Sequence, residues 1–196
     1  MNKWLDVAEK LLSIPRAHEM IGYFTVADKG DGVLKVMRSY QVIAAEQIVG
    51  QARKKDWYDV NPRGGYVWHT TGSGKTMTSF KSAQLIANGG TADKVVFLVD
   101  RIELGTQSFE EYCGFADPET TVNETDDTKT LVALLKSTDR NKVLIVTSIQ
   151  KMSLVNEANG TGARDIAAIR AKKIAVIVDE CHRSVFGEMM RMIRET

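Results

Sequence analysis

The stretch that most constrains the fold is His69-Thr70-Thr71-Gly72-Ser73-Gly74-Lys75-Thr76. It follows a short apolar run, Tyr66-Val67-Trp68, and precedes a helix-compatible segment from Met77 to Asn88 that closes at Gly89-Gly90. A strand feeding a glycine-rich turn that opens a helix is the context a phosphate-binding loop requires. Gly72 and Gly74 permit a tight turn in which successive N–H groups point at phosphate oxygens, and the helix N-terminus adds the positive end of its dipole. In such a loop Thr71, Gly72, Ser73 and Gly74 wrap the phosphates, Lys75 reaches the β and γ phosphates of ATP, and Thr76 ligates Mg²⁺. The pattern Gly-x-x-x-x-Gly-Lys-Thr is met in relaxed form, because His69 stands where the first glycine is usual.

Beyond this loop the chain alternates between strand and helix. Lys94 to Asp100 reads as a buried strand, Arg101 to Cys113 as a helix, and Val122 as a short edge strand. Thr128 to Ser137 is a helix with Leu131, Leu134 and Leu135 on one face, for which Thr125 or Asp126 is the expected cap. Lys142 to Ser148 is another strand, followed by a short polar helix, a helix from Ala163 to Lys173 and a last strand from Ile174 to Asp179. Near-continuous Val and Ile runs between helices imply strands buried on both faces, hence a mostly parallel sheet in a doubly wound α/β fold. Ligands are then expected at the carboxyl ends of the strands.

Upstream, Trp4 to Leu12 shows helical spacing that Pro15 interrupts, Ile21 to Val26 reads as a strand, and Val33 to Met37 can pair with it across a Lys29–Gly32 turn. Residues 1–37 are thus expected to form an N-terminal extension packed on a main domain of residues 38–196. That domain opens with a helix running to about Lys55, for which Ser39 is the expected N-cap.

The last strand runs into Asp179-Glu180-Cys181-His182. A carboxylate at a strand's carboxyl end, following a phosphate loop, suits Mg²⁺ held mostly through its waters, which assigns Asp179 to the metal together with Thr76. Glu180 is placed to polarise the water that attacks a γ-phosphate. Lys75, Asp179 and Glu180 are therefore the catalytic candidates.

Bulk properties exclude other classes. A net charge of +1 gives no overall basic field, so any nucleic acid would have to meet a local groove. Two distant cysteines, Cys113 and Cys181, make no disulfide framework and fit a reducing cytoplasm. No apolar run approaches the ~18 residues of a membrane span.

Asp179-Glu180-Cys181-His182 resembles motif II of superfamily 2 helicases, and Gly72 to Thr76 their motif I. With Leu98-Val99-Asp100-Arg101, Val146-Thr147-Ser148-Ile149-Gln150-Lys151, Arg183 and Arg38-Ser39-Tyr40-Gln41, the set resembles the motor subunit of type I restriction–modification enzymes, in which histidine often replaces the first glycine. The resemblance implies a RecA-like first helicase lobe, a P-loop ATPase that in its full-length form translocates duplex DNA in company with modification and specificity subunits. It implies that Gln41 and Arg38 read adenine, that Arg101, Thr147, Ser148 and Gln150 touch the DNA backbone, and that His182 couples the two sites. A different superfamily 2 enzyme, of type III restriction or repair kind, and a non-catalytic nucleotide-binding module are the alternatives. The family's Glu-x-Lys nuclease signature does not occur, and the one Asp-x-Lys, Asp127 to Lys129, falls at an expected helix start. The chain stops shortly after motif II, so the expectation is a truncated lobe with no nuclease site and weak turnover by itself.

Overall fold

The computed structural model describes residues 3–11, 13–54, 57, 64–70, 72–99, 102–116 and 120–178. Helices α1 (Lys3–Leu11) and α2 (Ile14–Tyr23) lead into a hairpin of β1 (Thr25–Asp28) and β2 (Val33–Val36), and α3 (Ser39–Lys54) follows. After the glycine-rich loop come α4 (Lys75–Asn88), β3 (Lys94–Val99), α5 (Ile102–Phe115), β4 (Val122–Glu124) and α6 (Thr128–Lys136). The described chain ends with β5 (Leu144–Ser148), α7 (Ile149–Ser153), α8 (Ala163–Arg170) and β6 (Ile174–Val178). The strands β4, β5, β3 and β6 lie side by side in that order, each neighbouring pair parallel.

The doubly wound architecture follows from the alternation of side chains along β3, all six of whose residues are buried. Val96 and Leu98 face one layer with Leu131 and Leu135 of α6, Ile149 and Met152 of α7, and Ile166 and Ile169 of α8. Val95, Phe97 and Val99 face the other, with Phe80 and Ile86 of α4, Tyr112 of α5 and Val49 of α3. A strand covered on both sides has no polar face to show, which is why its sequence reads as an unbroken apolar run. Aromatic rings lock the second layer. Tyr112 stacks on Phe97 at 4.5 Å between centroids and meets Phe80 edge-on at 5.2 Å. Its hydroxyl donates to Ser79 Oγ at 2.8 Å, so the buried phenol is satisfied.

The N-terminal hairpin packs on this body. Phe24 and Met37 share a small core with Val42 and Ala45 of α3, and packing is continuous across residue 37. The Lys29 N–H donates to Gly114 O at the end of α5, and buried Lys81 on α4 donates to Thr25 O and, at 2.8 Å, to Gln84 Oε1.

Three expectations need correction. Ile21 to Val26 is not a strand: residues 21–23 finish α2, and β1 starts at Thr25. Pro15, in the first turn of α2, interrupts one helical pattern by opening the next, where its missing N–H costs nothing. Tyr66 to Trp68 form no strand, because among the described residues no neighbour pairs with them; Tyr66 and Trp68 are 85% and 88% exposed. The edge of β6 away from β3 is likewise unpaired among the described strands. Asp127, rather than Thr125 or Asp126, caps α6, its carboxylate accepting from the Thr130 N–H at 2.6 Å. That bond holds the Asp127 carboxyl below the usual carboxylate range, and it makes the Asp-x-Lys pair a helix cap. At the end of α4 it is Gly90, with φ 62°, that takes the left-handed position.

Lys94 sits at the base of β3, fully enclosed, its ammonium donating to Lys142 O. Burial, with repulsion from Lys172, lowers its pKa to about 8. An unfolded lysine titrates near ~10.4, so between these values the unfolded chain binds the extra proton and stability rises with pH. Denaturant unfolding at pH 7 and pH 9.5 should show wild type gaining stability relative to Lys94→Met at the higher pH; identical pH dependence in the two proteins would contradict this.

Candidate nucleotide-binding site

The site is built where α3 meets the loop ahead of α4. Gly72 and Gly74 have φ of 75° and 80°, the left-handed region that non-glycine residues enter at a cost. Gly74 is the N-cap of α4, so the first amides of that helix lack carbonyl partners within it and form the positive pole of its dipole. The Ser73 N–H donates to Thr70 O at 3.2 Å, closing the turn that precedes the helix.

Two side chains from the start of α3 hold this turn from below. Gln41, only 4% exposed, accepts at Oε1 from the Arg38 N–H at 2.8 Å. That is the return half of a capping box, with Gln41 at N3 and Arg38 as N-cap in place of the expected Ser39, which is the first residue inside the helix. The Gln41 amide nitrogen donates to Ser73 O at 3.2 Å and Gly74 O at 3.4 Å. The Tyr40 hydroxyl also donates to Ser73 O, at 2.9 Å. A Cβ added at Gly74 would lie 2.4 Å from the Gln41 amide nitrogen, so it would displace that amide from the Ser73 and Gly74 carbonyls, in addition to the strain of its φ. These clasps join residues more than 30 positions apart, and the loop-holding role of Tyr40 was not visible in the sequence. Its one signal is the Tyr-Gln pair at a helix start.

His69 braces the loop beside Tyr40. Its Nδ1 lies 2.9 Å from Ser73 Oγ, and its ring meets Tyr40 edge-on at 6.2 Å between centroids. Lys75 and Thr76 occupy the first turn of α4, both half-buried. A turn with two left-handed glycines that leads into the N-terminus of a helix fits a polyphosphate. Thr71, Asp100, Arg101, Asp179, Glu180, His182 and Arg183 lie outside the described residues. The chain leaves β6 for Asp179 directly after Val178, which is in register with Leu98 near the carboxyl end of β3.

The expected DNA-facing residues are placed unevenly. Thr147 and Ser148 are each 3% exposed. The Thr147 hydroxyl accepts from Thr125 at 2.8 Å, and Ser148 Oγ accepts from the Lys151 N–H to cap α7. Both hydroxyls are thus used in the turn after β5, whereas Gln150 is exposed. Arg38 is exposed at the start of α3. Phe24 is a core residue, with the Arg16 guanidinium over its ring at 5.9 Å.

Comparison with known proteins places this geometry. Residues 40–196 match the family described as SWI2/SNF2 ATPase, the match opening at Tyr40. The chain is 41% identical over 195 residues to the type I restriction enzyme SsaAORF53P endonuclease subunit of Staphylococcus saprophyticus, covering all of this chain and 20% of that protein. It is 39% identical over 167 residues to the C-terminal part of the putative type I restriction enzyme MpnIIP endonuclease subunit, from Mycoplasma pneumoniae, covering 83% of this chain and 79% of that one. A nuclease-deletion mutant of the type ISP restriction–modification enzyme LlaGI, solved with a DNA substrate mimic, shares the fold with a TM-score of 0.55 and 24% identity, over 79% of this chain and 16% of that one. The chain spans about a fifth of the length of the Staphylococcus relative. A glycine-rich loop clasped by Tyr40 and Gln41, a doubly wound parallel sheet and these relatives lead to one assignment: the chain belongs to the SWI2/SNF2 ATPase family, among the endonuclease subunits of type I restriction enzymes.

Proposed function

We propose that this chain holds ATP·Mg²⁺ in its Thr70–Thr76 loop and forms the first lobe of the motor with which a type I restriction enzyme moves duplex DNA. The observation that carries the reading is the loop itself, folded around two left-handed glycines and held by α3. The Lys75 ammonium neutralises the β and γ phosphates, and the amides of Gly72 to Thr76 supply the oriented donors. The Thr76 hydroxyl and Asp179 hold Mg²⁺, whose charge offsets that of the phosphates, and Glu180 orients the water. The relatives are named as type I enzymes, which favours this version over a type III or repair helicase.

Adenine falls to Gln41 and Arg38. One amide N–H of Gln41 faces the carbonyls of Ser73 and Gly74, and one lone pair of Oε1 faces Arg38. The remaining N–H and lone pair match N7 and N6–H of adenine, so one side chain can serve base and loop together. At the DNA side, Thr147 and Ser148 act by fixing the turn after β5, and Gln150 with Arg101 contacts the backbone, positioning the duplex without reading sequence. Recognition of a target sequence and attachment to the modification machinery then belong to specificity and modification subunits.

Titration calorimetry with Mg·ATP tests the reading. Lys75→Ala should weaken binding about ten- to a hundredfold, the loss of charge-assisted hydrogen bonds to phosphate; binding equal to wild type would refute it. Gln41→Ala should narrow the preference for ATP over GTP, and an equal loss for both nucleotides would remove Gln41 from base recognition.

A further inference from the structure

The histidine in place of the first glycine has a hydrogen-bonding arrangement that fixes its protons. Ser73 Oγ lies 2.7 Å from Thr70 O and 2.9 Å from His69 Nδ1. A carbonyl cannot donate, so the single hydroxyl proton of Ser73 must lie on the Thr70 side. The Ser73 oxygen then accepts from the imidazole, and His69 carries its proton on Nδ1. The other nitrogen, Nε2, is enclosed and has no hydrogen-bond partner among the described residues.

Among the described residues the hydrogen bond of this ring is therefore made at Nδ1. From there it spans the turn from position 69 to position 73, while Thr70 O collects both the N–H and the O–H of Ser73. Tyr40 grips the same residue through its carbonyl and abuts the imidazole, so His69, Tyr40 and Ser73 form one brace.

We infer that His69 is a positioning residue of the phosphate loop. Held as the Nδ1–H tautomer, it fixes the 70–73 turn in the shape that receives the triphosphate, and it replaces the mobility of a glycine with a strut. This rests on the nucleotide reading above. Ordering the loop before the ligand arrives spares that ordering cost at binding, so the strut acts on affinity for ATP.

Nitrogen-15 NMR of the His69 ring in the nucleotide-free chain should show Nδ1 protonated and Nε2 bare, whereas an unconstrained neutral imidazole in water favours the proton on Nε2. In calorimetry, His69→Ala should weaken Mg·ATP binding roughly three- to tenfold, the worth of one hydrogen bond. His69→Asn, whose amide nitrogen stands near the Nδ1 position, should recover most of that affinity, and His69→Gln should not. A ring protonated on Nε2, an alanine variant that binds like wild type, or glutamine rescuing better than asparagine would each overturn the inference. Failure of the wild-type chain to take up Mg·ATP would instead sink the nucleotide reading, and this inference with it.

Discussion

The Gln41 amide is the joint on which the site depends. It satisfies the N-terminus of its own helix through Oε1 and ties down the carbonyls of Ser73 and Gly74 through its nitrogen. A buried amide with each of these partners met is rigid, because loss of one leaves a polar group stranded away from water. Placement of α3 against the start of α4 is thereby coupled to the shape of the loop, and Val42 and Ala45 secure α3 against the N-terminal hairpin core. The residues ahead of the loop are part of its scaffold. The family match opens at Tyr40, beside this joint.

The sheet gives that joint something firm to sit on. Phe80, Ala83 and Ile86 of α4 are buried against β3 through the Phe97–Tyr112 stack, so the helix that carries Lys75 and Thr76 is anchored by its middle turns. Its first turn carries Lys75 and Thr76, both half-buried. On the opposite layer α6, α7 and α8 cover the same strand, and the Thr125–Thr147 and Ser148–Lys151 bonds fix the turn after β5. The loop ahead of α4 and the turn after β5 are thus held by helices packed on the two faces of one buried strand.

The sequence revealed the elements whose signals are local. The unbroken apolar runs of β3 and β5, the helix near Ser39 and the Gly72–Gly74 turn could all be read directly, since each follows from burial on both faces or from local backbone geometry. Elements that depend on distant partners were misread. Tyr66 to Trp68 has strand composition, but a strand exists only where a ladder partner lies beside it. The β-rich Ile21 to Val26 lost its first residues to a helix opened six positions earlier at Pro15. The cap of α6 shifted by one residue, because Asp127 rather than Asp126 has the geometry to reach the Thr130 amide. The motif of Thr147 and Ser148 did not reveal that their hydroxyls are buried and bonded within the turn after β5.

The central claim is that this loop is already shaped for a triphosphate and is read out through α3. Amide chemical-shift mapping of the nitrogen-15-labelled chain during titration with Mg·ATP tests it most directly. The account predicts shifts concentrated at the amides of Gly72 to Thr76 and at the Gln41 side-chain amide, with β1 and β2 unmoved. Shifts centred elsewhere, or a Gln41 amide untouched while the loop responds, would contradict it.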